Sequence, residues 1–274
     1  MLERTLSLIG FAFLLTGCQG TPKDAIVPPQ PTLAPYTGAR EVTWAVVPPR
    51  NDSGASEVDT LAVGDALVAA AEQVRGVRCL PLNRTIEALR GLKMEAPQSA
   101  ADARRLAQAM RVDAVLISTI TAWDSYKPEI GIAAALFARP GALEVSPAAT
   151  ASSRDIQTST TESSASFAAS DAPLAMTSEH FDARNHQVLA DLQTYATGRL
   201  KGPTALGWRS YASTSKRFTE FATYRTIQVL VQQEAMRVSA SQTQVGTKPD
   251  NSLRGRTATN QVLAGQVDTI QTEK

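Results

Sequence analysis

An α/β fold, a mixed sheet packed by helices within one domain, is what the apolar patterning predicts. Two observations carry it. Short apolar runs of strand length alternate with stretches whose apolar residues recur at helical spacing. Two long apolar runs, 112–123 and 129–139, then follow one another with only a turn between them, as an antiparallel pair requires. The composition agrees: 43% hydrophobic and 19% charged residues in 274 are ordinary for a globular chain. The net charge of +1 gives no global field that would point to nucleic acid.

The first element is the run Val42 to Val47, a strand ended by Pro48-Pro49. "NDSGAS" is polar and turn-like. Residues 58–74 read as a helix, with Val63, Leu67, Ala70, Ala71 and Val74 on one face and Leu61 and Val68 widening it. Gly76 ends it, and "VRCLPL" (77–82) is the next strand. Asn83 is placed to cap a short helix through "RTIEALR" that stops at Gly91. After Pro97, Ser99 and Asp102 form a capping-box-like pair, with Asp for the usual Glu. They open a helix whose inner face is Ala103, Leu106, Ala107 and Met110. The strands 112–123 and 129–139 follow, joined at "DSYKP".

Residues 146–170 turn to Ala, Ser and Thr. Either a polar strand pair or a flexible insertion fits them. Val188, Leu192 and Tyr195 mark a helix closed by Gly198. A final helix starts at "SKRFTEF" with Tyr224, Ile227, Leu230 and Val231 inward. From about residue 239 to 274, Ser, Thr, Gln and Asn predominate, and a disordered tail is expected. The domain is therefore bounded at 41–238.

The N-terminus has a different character. Leu6 to Leu15 contains a single polar residue, Ser7. It is too short to span a bilayer, which needs ~20 apolar residues, and has the length of a signal-peptide core. Leu15-Thr16-Gly17-Cys18 at its end resembles the lipobox of bacterial lipoproteins. A plain signal peptide or a buried N-terminal helix with an incidental cysteine are the alternatives. The resemblance implies a signal peptide over 1–17 and acylation of Cys18, so that several acyl chains anchor the protein. Gln19, where that family carries Asp for inner-membrane retention, implies the outer membrane and its periplasmic face. Residues 18–40, with five prolines after the cysteine, read as an extended tether of roughly 70 Å reach. With Cys18 acylated, Cys79 has no disulfide partner and reads as a small buried hydrophobe.

Four stretches in order, "WAVVPPRNDSG", "VGDALVAAAEQV", "VRCLPLNRTIEALRGL" and "ARRLAQAMRVDAVLISTIT", resemble lipoproteins whose periplasmic domain is like the N-terminal domain of TolB. That group includes the curli-secretion pore CsgG, the Pel export lipoprotein PelC and the penicillin-binding-protein activator LpoB. The likeness covers about residues 42–137. It implies assembly or activation work rather than chemistry, with an envelope protein as partner. The alternative it implies is a homo-oligomeric component of an export channel. The stretch 129–180 lacks the long apolar–polar alternation from which the curli pore builds a barrel, so a self-made pore is not favoured.

The residues offer little chemistry. His180 and His186 fit no metal spacing. No Gly-x-Ser-x-Gly elbow is present. "GPTALGWRS" imitates a P-loop, with Trp208 where the lysine belongs. Asp124 and Glu129 flank a turn and could form a carboxylate pair, although turn carboxylates are usually solvated. No enzyme and no cofactor is expected. One charge feature stands out: Arg199, Lys201, Arg209, Lys216, Arg217 and Arg225 against the single acid Glu220, interleaved with Trp208, Tyr211 and Phe218. Arg199, Lys201, Trp208, Arg209, Lys216 and Arg217 are thus candidates to contact a partner or an anionic surface. The bland alternative seats the aromatics under the last helix and leaves the cations solvated.

Overall fold

The computed structural model describes residues 32–36, 41–143, 172–200 and 205–246. The signal-peptide assignment, Cys18, Lys201, the stretch 146–170 and the tail beyond 246 lie outside the described residues.

Strand β1 (Val42–Val46) is rich in branched and aromatic side chains, which suit an extended backbone. The prolines after it lack the N–H a ladder needs. Only the two residues of β2 (Arg50–Asn51) resume pairing, with what becomes β4. Asp59 opens α1 (Thr60–Glu72) by accepting from the Ala62 N–H at 2.9 Å. The predicted stripe is buried, Val63, Leu67, Ala70 and Ala71. Gly76, at φ +92°, makes the left-handed turn into β3 (Val77–Leu80).

Helix α2 (Leu82–Gly91) corrects one expectation. It starts a residue before Asn83, with Pro81 at the N-cap and no capping side chain. It stops at Gly91 as expected, with the positive φ of 55° falling two residues later at Lys93. Helix α3 (Ala100–Met110) has the expected cap. Ser99 Oγ accepts from the Asp102 N–H at 3.2 Å, while Asp102 Oδ2 accepts from Ser99 Oγ and from the Gln98 N–H. Strands β4 (Ala114–Asp124) and β5 (Glu129–Ala138) pair antiparallel as predicted.

A sixth strand, β6 (Ala175–Asp182), follows antiparallel to β5 and was not read from the sequence. Its inward positions include Thr177 and Glu179 beside Ala175 and Phe181, so its alternation is weak. The sheet order is β3-β1-β4-β5-β6, with β3, β1 and β4 mutually parallel. This is the predicted mixed sheet.

The chain closes with α4 (His186–Thr197), the single-turn α5 (Arg209–Ala212) and α6 (Ser215–Gly246). Helix α6 continues past the expected tail boundary near 239 to Gly246, because Ser, Gln and Ala in "RVSASQTQV" tolerate a helix already nucleated upstream. Helices α1, α4 and α6 cover one sheet face over Trp44, Val46, Leu116, Ile120, Ile132 and Phe181. Helices α2 and α3 cover the other face over Ala45, Val47 and Val115. The sheet thus separates two helical layers.

The described part of the expected tether, residues 32–36 of 18–40, is docked. Thr32–Tyr36 lies against the fold. The Arg75 N–H donates to the Thr32 carbonyl at 2.8 Å, and the Ala34 N–H to the Arg75 carbonyl at 2.9 Å. Tyr36 is held beside Glu234, a carboxylate buried on α6 and gripped by Arg237 at 2.6 and 2.7 Å. Desolvation first, then the Glu234 charge, pushes the Tyr36 phenol far above its ordinary range. No helix among the described residues is long and apolar enough to cross a membrane.

Candidate binding cleft

On its outer side α1 carries Ala62, Ala66 and Ala69, one above the other at i, i+4 and i+7. Methyl groups that short cannot reach the elements across from them. A cleft of about 740 Å³ therefore opens between α1 on one wall and α4, α5 and the first turns of α6 on the other. That volume is typical of ligand sites, ~300–1,000 Å³. Val63 and Trp123 line it from below, and Tyr195 and Tyr211 from the side.

The rim carries both charges. Glu57, Asp59 and Asp65 stand on the α1 side, and Arg199, Lys216 and Glu220 on the other. Two are already engaged. Asp59 is the helix cap. Arg199 reaches across to donate from Nη2 to Gln73 Oε1 at 2.6 Å, and from Nη1 to the Tyr195 carbonyl at 3.2 Å. Its guanidinium lies 3.8 Å from the Tyr195 ring centre and 4.6 Å from that of Tyr224. Arg199 thus ties α4 to α1 at one end of the cleft. Tyr195 is the hub of an aromatic cluster, with centroids 5.7 Å from Tyr211, 5.5 Å from Phe221 and 5.0 Å from Tyr224. Burial pushes its phenol up to about 12, against the nearby Arg199 charge that lowers it. It is a neutral wall at physiological pH.

The predicted cationic patch is divided by the structure. Arg199 and Lys216 reach the cleft. Arg209 packs over Trp208, 5.1 Å from its ring, and Trp208 leans on the core. Arg217 lies 5.3 Å from the Tyr211 ring and donates to Ser210 Oγ at 2.7 Å. Arg225 turns to Asp191 at 3.2 Å. So the aromatics do seat the last helices, and most of the cations pack on them.

Asp124 and Glu129 are register partners at the end of the β4–β5 hairpin, and each is committed to structure. Asp124 Oδ1 accepts from the Tyr126 and Lys127 N–H groups at 2.8 and 3.0 Å, which holds its carboxyl below the usual range. Glu129 accepts from Arg184 at 3.0 Å and lies 3.3 Å from His180 Nε2. His186 is an exposed first residue of α4. Cys79 is buried, and desolvation pushes its thiol up to about 12. Among the described residues no group of three or more His, Cys, Asp or Glu could hold a metal ion.

The sequence reading missed the α1 wall of the cleft. Its signal was the alanine row on the face away from the core, which looks no different from an ordinary solvated helix face.

No protein-family model matches the chain, and no curated protein does. Its structure is similar in part to several solved ones, including these three. Lipoprotein GNA1162 from Neisseria meningitidis is 18% identical over 58% of this chain and 96% of that one, at a TM-score of 0.36. The PelC dodecamer from Paraburkholderia phytofirmans is 16% identical over 40% of this chain and 69% of that one, at 0.27. The hypothetical protein CT253 from Chlamydia trachomatis is 11% identical over 72% and 95%, at 0.32. TM-scores this low leave the function of this chain to be argued from its own residues.

Proposed function

We propose that the protein is a lipid-anchored envelope lipoprotein, on the periplasmic face of the outer membrane, that works as a non-enzymatic binding or scaffolding module. The observation that carries this is the α1/α4–α6 cleft. Its walls are aromatic and apolar, its rim bears both charges, and Asp59, Arg199 and Gln73 are engaged in a helix cap and a cross-link. Such a surface suits a peptide segment or loop of another envelope protein, with aromatic contacts giving affinity and the rim giving orientation. The lipobox at Cys18 supports the anchor. Docking of Thr32 leaves thirteen residues between Cys18 and the fold, a reach of roughly 40 Å if they are extended.

Two experiments test the reading. Cys18→Ala should leave an uncleaved or soluble precursor, and wild-type processing and membrane retention would overturn the anchor. A photoreactive residue at Ala66 should crosslink one discrete envelope protein in cells, and Ala62→Trp, which fills the cleft, should abolish that product. The same product from a photoreactive residue at Arg78, across the sheet, or none from Ala66, would overturn the cleft as the binding site. A large ring-sized native mass in mild detergent would instead assign the chain to an export channel.

A further inference from the structure

The near-zero net charge conceals a strong asymmetry. From Arg75 to Arg111 the chain carries eight cationic side chains against three acidic ones, and nineteen against twenty-three elsewhere. The fold collects that surplus on one side. These residues form β3, α2 and α3, the edge strand and the helical layer on the sheet face opposite the cleft. Leu89, Leu106 and Ala107 face inward from this layer, while Arg84, Arg90, Lys93, Arg105 and Arg111 are exposed. The acids offset it little. Glu87 pairs with Arg84 at 3.3 Å with both side chains well exposed, and Asp102 is used in the α3 cap. Only Glu95 adds to them.

We propose that this α2–α3 face docks on anionic phospholipid headgroups. Two features favour a lipid surface over a macromolecular partner. None of the exposed large hydrophobic side chains lies on α2 or α3, so the face lacks the aromatic anchors of protein hot spots and the stacking platforms of nucleic-acid grooves. Long cations separated by Asn83, Gly91, Ala101 and Gln108 suit instead the diffuse attraction of a charged membrane plane. The tether, moreover, docks on the backbone of Arg75, at the start of the edge strand that borders this layer. The inference deepens the anchored reading above, since one lipid signal and one basic face together bind a membrane stably. It also turns the cleft, on the other side of the sheet, away from the membrane.

The test does not depend on acylation. The chain from Gln19 onward keeps every described residue and lacks both Cys18 and the apolar run. It is sedimented with phosphatidylglycerol–phosphatidylethanolamine vesicles and with phosphatidylcholine vesicles at low salt. Binding to the first alone, released by added salt, is expected. Neutralising Arg84, Arg90, Lys93 and Arg105 to Gln should lower partitioning about five-fold per residue. Arg209→Gln with Arg217→Gln should leave it unchanged. All these positions are exposed or pack outside the core, and the milder pair Arg84→Gln, Arg105→Gln gives the same readout if the fourfold variant is unstable. Failure to bind, full binding by the neutralised variants, or binding to an acidic polysaccharide but not to vesicles would overturn the proposal. Because no lipid anchor is present, that failure would leave the Cys18 test standing on its own.

Discussion

Asp113 ties the start of the sheet together, and its removal should be among the costliest single changes. Its carboxylate is almost wholly buried, with 3% of the side chain exposed. Oδ2 accepts from the Thr43 N–H on the β1 strand at 2.9 Å, and Oδ1 accepts from Arg139 Nη2, just past β5, at 3.2 Å. One side chain at the head of β4 thus bridges both of its neighbours. In Asp113→Ala the Thr43 N–H loses its acceptor, which costs ~1–3 kcal/mol for a buried donor. Breaking a fully buried ion pair from one side costs ~3–5 kcal/mol. Here Arg139 is 34% exposed and keeps its bond from Nε to the Val112 carbonyl at 3.0 Å, so its guanidinium can relax toward water. The net expectation is about 3 kcal/mol. With a urea m-value of ~2 kcal/mol/M, the unfolding midpoint should fall by about 1.5 M at unchanged m. Asp113→Asn keeps an acceptor for Thr43 and should lose about half as much. A double-mutant cycle with Arg139→Met should show a coupling of about 1 kcal/mol or more. A midpoint shift below about 0.3 M for Asp113→Ala would refute the bridging account.

Further outcomes follow from the geometry at Gly131 and Cys79. Gly131 faces the β4 bulge, where an added Cβ would lie 2.3 Å from Thr121 Oγ1 and 3.0 Å from the Ala122 backbone nitrogen. Gly131→Ala should therefore destabilise by ~1–3 kcal/mol, and Thr121→Ala should rescue only part, because the backbone contact remains. Equal thermal stability of wild type and Gly131→Ala would count against it. Cys79 should resist a thiol reagent in the native state at mildly alkaline pH and react only as the protein unfolds, so stoichiometric labelling of native protein would contradict its burial. Its folded pKa is raised, so the stability it contributes is complete below the ordinary thiol pKa near 9 and is lost as pH rises toward about 12. Cys79→Ala should flatten that alkaline limb in equilibrium unfolding.

Local grammar by itself determined the core of the fold. The Ser99–Asp102 cap, the inner stripe of α1, the buried Cys79 and the β4–β5 pair all follow from residues within a turn or a strand of one another, where spacing and propensity decide. The asymmetry of charge between residues 75 and 111 was equally present in the sequence, but only the packing of α2 and α3 on one sheet face turns a count into a surface.

What tertiary structure alone decided lies where distant segments meet. Strand β6 is recruited by pairing with β5, despite weak alternation of its own. Thr32–Tyr36 leaves the tether because Arg75 offers a free backbone edge and Glu234 a buried neighbour, two positions far away in the chain. The cations around Trp208 are divided for the same reason, because Tyr195, Tyr211 and Tyr224 come from three separate helices and hold Arg199 and Arg217. The cleft is the clearest case. Its alanine wall and its aromatic wall are more than a hundred residues apart, and nothing in either stretch encodes the other. Their apposition comes from α1 and α6 burying their apolar faces on the same side of one sheet.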